Sequence, residues 1–230
     1  MTLPSFTVSE DVSELGIKAI AFVLPGLSLS EEYGPELREE LMRREKRLLT
    51  ETTADGLKQQ PLLRGFRDLH ARVGSAAKRE IAAPEALLRL LHRNARLPRI
   101  SPLVDIYNIV SAETMLALGA HDLNRLAGAV RLARTDGSEK FVPLGAAAPV
   151  DVTAGEYAYL DDEEILCRLE VRQCDKSKVT LAATDVVFIV HAGPAHPENA
   201  VHEAMEQLVS MIHQYCGGGP AKMLSDGLHV

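Results

Sequence analysis

Residues 99–145, RISPLVDIYNIVSAETMLALGAHDLNRLAGAVRLARTDGSEKFVPLG, change their apolar periodicity half-way along, and that change decides the fold. In the first half Leu103, Ile106, Tyr107 and Val110 recur at i, i+3, i+4 and i+7, the spacing of one apolar helix face. Ser101 is a natural N-cap, and Pro102 follows at the first helical position, where a missing N–H costs nothing. In the second half Val130 and Leu132 alternate with Ala129 and Arg131. Asp136-Gly137 signals a turn, and Phe141, Val142 and Leu144 follow it. The stretch reads as helix, loop, strand, turn, strand, so the fold class is α+β. The loop from Leu118 to Leu123 brings Gly119, His121 and Asp122 together and is the first place to expect a site. Asp105 and Asn108 lie three apart and share one side of the helix. Both side chains compete for backbone groups, so within an apolar helix they require a buried partner, a ligand or solvent.

Upstream, Thr2–Val8 alternates as an edge strand does, and the apolar run Ile17–Leu24 stops at Pro25-Gly26 like a buried strand. Ser30 is expected to cap a long helix from Glu31 to about Leu49. A second helix spans Gln60–Val73, with Leu63, Phe66 and Leu69–His70 on one side. The small-residue loop Gly74–Arg79 follows, and Pro84 starts a third helix. Downstream, Glu156 opens a strand Tyr157–Leu160, Asp161–Glu164 turns, and Ile165–Val171 returns. Arg172–Lys178 is a polar loop and Val186–Val190 a buried strand. A last helix from Pro197 carries the stripe Val201, Met205, Leu208, Met211, Ile212 and Tyr215. His191, His196 and His202 are spaced unlike metal ligands and receive a structural or surface role. The organisation expected is one domain over 1–216, with an N-terminal strand and helix extension, and a flexible tail over 217–230.

Apolar content of 46% and charged content of 25% are those of an ordinary globular protein. With no Trp, five Tyr and five Phe, an aromatic platform for single-stranded nucleic acid is excluded. No apolar run is long enough for a membrane span, and residues 1–16 lack the basic and apolar regions of a signal peptide. Cys167, Cys174 and Cys216 cannot all pair and read as reduced thiols, so a cytoplasmic location is expected. Six residues separate the first two, too many for a zinc pair, and neither a metal nor a cofactor is expected. The oligomeric state is left open. No G-x-S-x-G elbow, P-loop or dinucleotide glycine fingerprint occurs.

The net charge of −7 is unevenly spread. Residues 58–99 hold ten Lys/Arg against three acidic residues, leaving fifteen basic and twenty-nine acidic residues elsewhere. Such asymmetry marks a local polyanion-binding face on an acidic body, or simply two solvated helices.

The chain resembles the B3/B4 domain of the phenylalanyl-tRNA synthetase beta chain, which edits mischarged tRNA, and more closely its free-standing relatives. The resemblance rests on Asn108–Ser111, Leu118–Asp122, Gly128–Arg131, Gly137–Glu139, Phe141, Gly155-Glu156, Asp161, Cys167-Arg168, Arg172-Gln173, Asp175 and Lys178–Thr180, and runs from about Leu57 to Val190. It implies helices packed on a two-sheet β arrangement and a hydrolase deacylating a mischarged aminoacyl-tRNA in trans. The alternative is an amino-acid or tRNA binding module without catalysis.

It further implies a site built from loops. His121 would act as general base, with Lys178 and Arg172 supplying positive charge for the oxyanion. Asp105, Asn108, Asp122, Glu156, Asp175 and Thr180 would hold the amino-acid moiety. Arg64, Arg67, Lys78, Arg79 and Arg93 would hold tRNA phosphates. The family's His-Ala-Phe-Asp run reads Gly119-Ala-His-Asp122 here, so His121 stands two residues after the family's histidine position. The family's Ser-Glu-Val run, whose glutamate recognises tyrosine, reads Ser177-Lys-Val179. Both differences point to an amino acid other than tyrosine.

Overall fold

The computed structural model describes residues 3–74 and 77–224. In chain order the elements are β1 (Phe6–Val8), α1 (Glu10–Ser13), β2 (Lys18–Leu24), α2 (Pro35–Glu51), α3 (Gly56–Gln59), α4 (Pro61–Val73) and α5 (Ala83–Asn94). There follow α6 (Pro102–Thr114), β3 (Ala117–Asp122), β4 (Val130–Arg134), β5 (Tyr157–Leu160), β6 (Ile165–Arg168), β7 (Arg172–Gln173), β8 (Val186–Ala192), α7 (Ala200–Cys216) and β9 (Lys222–Met223). The strands form two sheets. One has the order β1-β4-β5-β6-β7, with β1 parallel to β4 and the other pairs antiparallel. The other, β3-β8-β2-β9, is antiparallel throughout.

The second sheet lies in the middle of the molecule, which explains why β2 and β8 are apolar at almost every position. Side chains alternate across a strand, so a strand buried on both faces loses its polar positions. Ile20, Phe22, Leu24, Leu118, Ala120, Phe188 and Val190 face a core shared with α2, α5, α6 and α7. Ala19, Ala21, Val23, Ala117, Val187 and Ile189 face the other way, onto Val130, Leu132, Tyr157, Tyr159 and Ile165 of the first sheet. The layers are helices, sheet, sheet, as expected for helices on a two-sheet arrangement.

Four local expectations are corrected. The long helix begins at Pro35 rather than Glu31, with Gly34 as its N-cap. Proline pushes the residue before it out of the helical region, and the Ser30 hydroxyl instead accepts the Glu32 N–H at 2.9 Å in a local turn. The segment Leu118–Asp122 is strand β3, hydrogen-bonded along its length to β8, and not a loop. Phe141–Leu144 forms no hairpin partner for β4, which pairs with β5 instead. The turn at Asp136-Gly137 is closed by Glu139, whose carboxylate accepts both N–H groups at 2.7 and 2.9 Å. Over 217–224 the expected tail is ordered. Gly219 N–H bonds Pro25 O at 2.7 Å, and β9 adds an edge strand to β2. Residues 225–230 lie outside the described residues.

Candidate functional site between the sheets

The alternation along β3 turns Ala117, Gly119 and His121 toward the first sheet. Register places Ala117 opposite His191 and Gly119 opposite Ile189 on β8. These residues, with Tyr159, Cys167, Glu170 and Gln173 on the other side, line a small cavity of about 40 Å³. Gly119 sits where a Cβ would meet nothing within 4 Å, so its hydrogen is what keeps the space open.

His121 is buried, and its Nδ1 lies 2.7 Å from the Ser177 hydroxyl and 3.5 Å from the Gln173 amide nitrogen. The Gln173 amide nitrogen can only donate, whereas the Ser177 hydroxyl, also 3.0 Å from Cys174 Sγ, can donate or accept; we assign the tautomer in which Nδ1 accepts and the single proton of the neutral ring sits on Nε2. Burial lowers the His121 pKa to about 4, with Asp161 opposing, so the ring stays neutral near neutral pH. His191 repeats the pattern. Its Nδ1 lies 2.6 Å from the Tyr159 hydroxyl, which finds no other acceptor among the described residues. Tyr159 therefore donates, and the His191 proton is also on Nε2. That nitrogen is buried and has no hydrogen-bond partner among the described residues. Burial holds His191 at about 4, with Glu170 opposing. A buried N–H without an acceptor is costly, and His191 is the residue around the cavity that carries one.

On the opposite wall Glu170 accepts from Tyr157 and lies 2.5 Å from His70 Nε2. Burial alone would lower the His70 pKa, but the Glu170 carboxylate overcomes it and raises it. Burial alone would raise Glu170, and His70 outweighs that, so the two form a buried ion pair.

The predicted site residues are only partly brought together. The β3 segment and the Arg172–Lys178 segment do meet, but through Ser177 and Gln173, whose amide also donates to Ala120 O at 2.6 Å. Lys178 points outward and pairs with Asp175 at 3.0 Å, while Asp175 also accepts the Gly145 N–H. Arg172 is exposed, 4.0 Å from Glu80. Neither cation lines the cavity. Asp122 caps the short 3-10 turn after β3, accepting the Asn124 N–H at 3.0 Å. Glu156 is fully buried and grips Arg168 through two hydrogen bonds at 2.5 and 2.8 Å. Thr180 is exposed at the surface. Asp105 is filled by the Tyr33 hydroxyl at 2.7 Å and the Ile100 N–H at 3.0 Å, and burial raises its pKa. Asn108 is half-buried and makes no side-chain hydrogen bond among the described residues.

On the basic helices Lys78, Arg79 and Arg93 are exposed, and Arg64 has only a 3.7 Å approach to Asp68. Arg67 is committed to Glu85 at 2.9 Å and Lys58 O at 2.6 Å. Sequence reasoning missed His191 and Tyr159. The apolar run reads as ending at Val190, but β8 continues through His191, whose period of two puts it on one face with Val187 and Ile189.

The B3/4 domain family model matches residues 65–217. This chain belongs to the B3/4 domain family. It is similar in fold to an N-terminal fragment of the phenylalanyl-tRNA synthetase beta-subunit from Pyrococcus horikoshii, with a TM-score of 0.51 at 12% identity. That likeness covers 95% of this chain and 50% of the synthetase fragment, and at such identity it speaks for the fold alone. No curated protein sequence matches the chain. In this B3/4 chain Gly119 and His121 both sit on the wall between the sheets. No helix among the described residues is long and apolar enough to cross a membrane.

Proposed function

We propose that this B3/4 protein binds tRNA and that the inter-sheet cavity hydrolyses the ester of a mischarged aminoacyl-tRNA. The observation that carries the reading is the unpartnered Nε2–H of His191, a residue that lines the cavity together with His121. Two neutral imidazole N–H groups suit an oxygen on which negative charge develops, since neither must lose or gain a proton. Water adds to the ester carbonyl carbon, the carbonyl oxygen becomes the oxyanion held by these donors, and the intermediate collapses. The ribose hydroxyl leaves with a proton from the water. His121 is thereby assigned as a donor and not as the general base, because its basic nitrogen already accepts from Ser177. The weight moves from Lys178 and Arg172, which lie outside the cavity, to His121 and His191. The exposed Arg64, Lys78, Arg79 and Arg93 supply phosphate contacts. At about 40 Å³ the cavity has room for about three water molecules, which favours a small aminoacyl group over an aromatic one.

The test is deacylation over a panel of tRNAs charged with small and aromatic amino acids. Wild type should hydrolyse a small-residue ester, and His191→Gln should lose about a hundredfold in rate, the usual cost of one oxyanion donor. A second reading, a binding module without turnover, is favoured by the lack of a free basic nitrogen in the cavity wall. Saturable binding of charged tRNA with no hydrolysis across the panel would select it. Wild-type turnover in His191→Gln would refute the assignment.

A further inference from the structure

A second cavity, of about 680 Å³, opens between α2 and residues 95–99 and shares no residue with the inter-sheet site. Most of its wall comes from α2, where Arg38, Met42, Glu45, Lys46 and Leu49 fall on one face at helical spacing. The back of the cavity is built from buried carboxylates. Glu45 accepts the Leu97 N–H at 2.9 Å and holds the Arg99 guanidinium through bonds of 2.7 and 2.9 Å. Asp105 fixes the Tyr33 hydroxyl and the Ile100 N–H. These bonds hold Tyr33 and residues 97–100 against the helix.

The floor is apolar. Leu49 is half-buried, and Met42 is 64% exposed, a large hydrophobic side chain that the core does not use. The rim is cationic. Arg43, Arg44 and Arg47 on the same helix are paired with Glu40, Glu51 and Glu113. By contrast, Arg38, Lys46 and Arg96 have no carboxylate partner among the described residues, and all three are exposed around the one cavity.

Uncompensated cations around an apolar bowl fit a ligand with an anionic head and a flat apolar body. Its volume is that of a small-molecule site. Guanidinium groups match phosphate oxygens in pairs, and methionine adapts to a flat ring. We propose that this cleft binds a nucleotide, with phosphate on Arg38, Lys46 and Arg96 and the heterocycle over Met42, Leu49 and Tyr33. The nucleotide is either free or the end of an RNA strand. An acidic peptide would spread its charges along a groove, whereas these cations converge on one bowl. Because α2 precedes residue 65, the segment outside the family match supplies most of the cleft. The proposal uses neither His121 nor His191 and stands apart from the reaction proposed above.

The test is calorimetric titration of the full chain with adenosine monophosphate, an ACCA RNA tetramer, inorganic phosphate and hexaglutamate. Adenosine monophosphate should bind at least about tenfold more tightly than inorganic phosphate, and more weakly as salt screens the rim. Lys46→Gln with Arg96→Gln should lose about tenfold or more, and so should Met42→Glu, with unchanged melting temperatures because all three residues are exposed. His191→Phe should bind the nucleotide as wild type does. A tetramer that binds more tightly than the mononucleotide assigns an RNA end, and equal affinity assigns a free nucleotide. Absence of binding by both, equal affinity for phosphate, tighter binding of hexaglutamate, or wild-type affinity in folded Lys46→Gln/Arg96→Gln or Met42→Glu protein would overturn the proposal.

Discussion

Lowering the pH from 7.5 to 5 should cost the fold stability through the two cavity histidines. Burial holds His121 and His191 at about 4, against 6.5 for an exposed imidazole. Above 6.5 both are neutral in the folded and unfolded chain, so their depressed pKa values cost nothing. Between 6.5 and about 4 the unfolded chain takes up protons that the folded one refuses. Each histidine then removes up to about 1.4 kcal/mol per pH unit. Integrated to pH 5, the loss is about 2 kcal/mol for each. His70 works in the opposite sense. Its raised pKa gives a contribution that is full below 6.5 and lost as pH rises through the folded value, so the total profile is blunted. The histidines are separated by comparing urea unfolding of wild type, His121→Gln and His191→Gln at pH 7.5, 6 and 5. Each variant should lose about 2 kcal/mol less than wild type over that interval. Parallel profiles would refute the reasoning, as would an NMR titration showing either ring protonating at pH 6 or above.

Gly119→Ala should raise the melting temperature while lowering ester hydrolysis or ligand binding. The new methyl enters open space, and relief of the glycine entropy cost in a strand contributes about 0.5–1 kcal/mol. A drop in stability, read by thermal melting beside activity, would show that the position is packed rather than open. Glu45→Ala should destabilise by about 2 kcal/mol, because it leaves the buried Leu97 N–H unpaired and takes the nearer carboxylate from the Arg99 guanidinium, which keeps only Asp105 at 3.8 Å. Urea unfolding measures this, and a loss below about 1 kcal/mol would mean that water replaces the carboxylate.

Much of the fold was legible because periodicity survives wherever one face of an element is buried. The helix at Pro102, the strand at Lys18 and the hairpin around Asp161–Glu164 all follow from it. It failed where tertiary pairing overrode local chemistry. Leu118-Gly-Ala-His-Asp122 has the composition of a loop, yet β8 supplies a hydrogen-bond partner along its whole length. The Gly217–Pro220 stretch has the composition of a tail, yet it turns the chain so that Lys222-Met223 closes the edge of β2.

The site was less legible, for a reason that lies in the sheet. Residue types alone suggested charged loops, and Lys178, Arg172 and Asp175 were natural choices. In the fold Lys178 pairs with Asp175 and Arg172 approaches Glu80, all at the surface, where an ion pair contributes little and reaches nothing. The two histidines bring neutral groups to the interior, and the Glu170 carboxylate on the same wall is buried with His70 as its counter-charge. Burial holds the two histidines below their normal pKa, and it makes the tautomer decisive. A hydroxyl on Nδ1 turns each ring into an N–H donor, Ser177 for His121 and Tyr159 for His191. The two hydroxyls come from the loop after β7 and from the first sheet, while both histidines lie on the second. No local stretch of sequence contains such a pair, and only the packing of the two sheets brings it together.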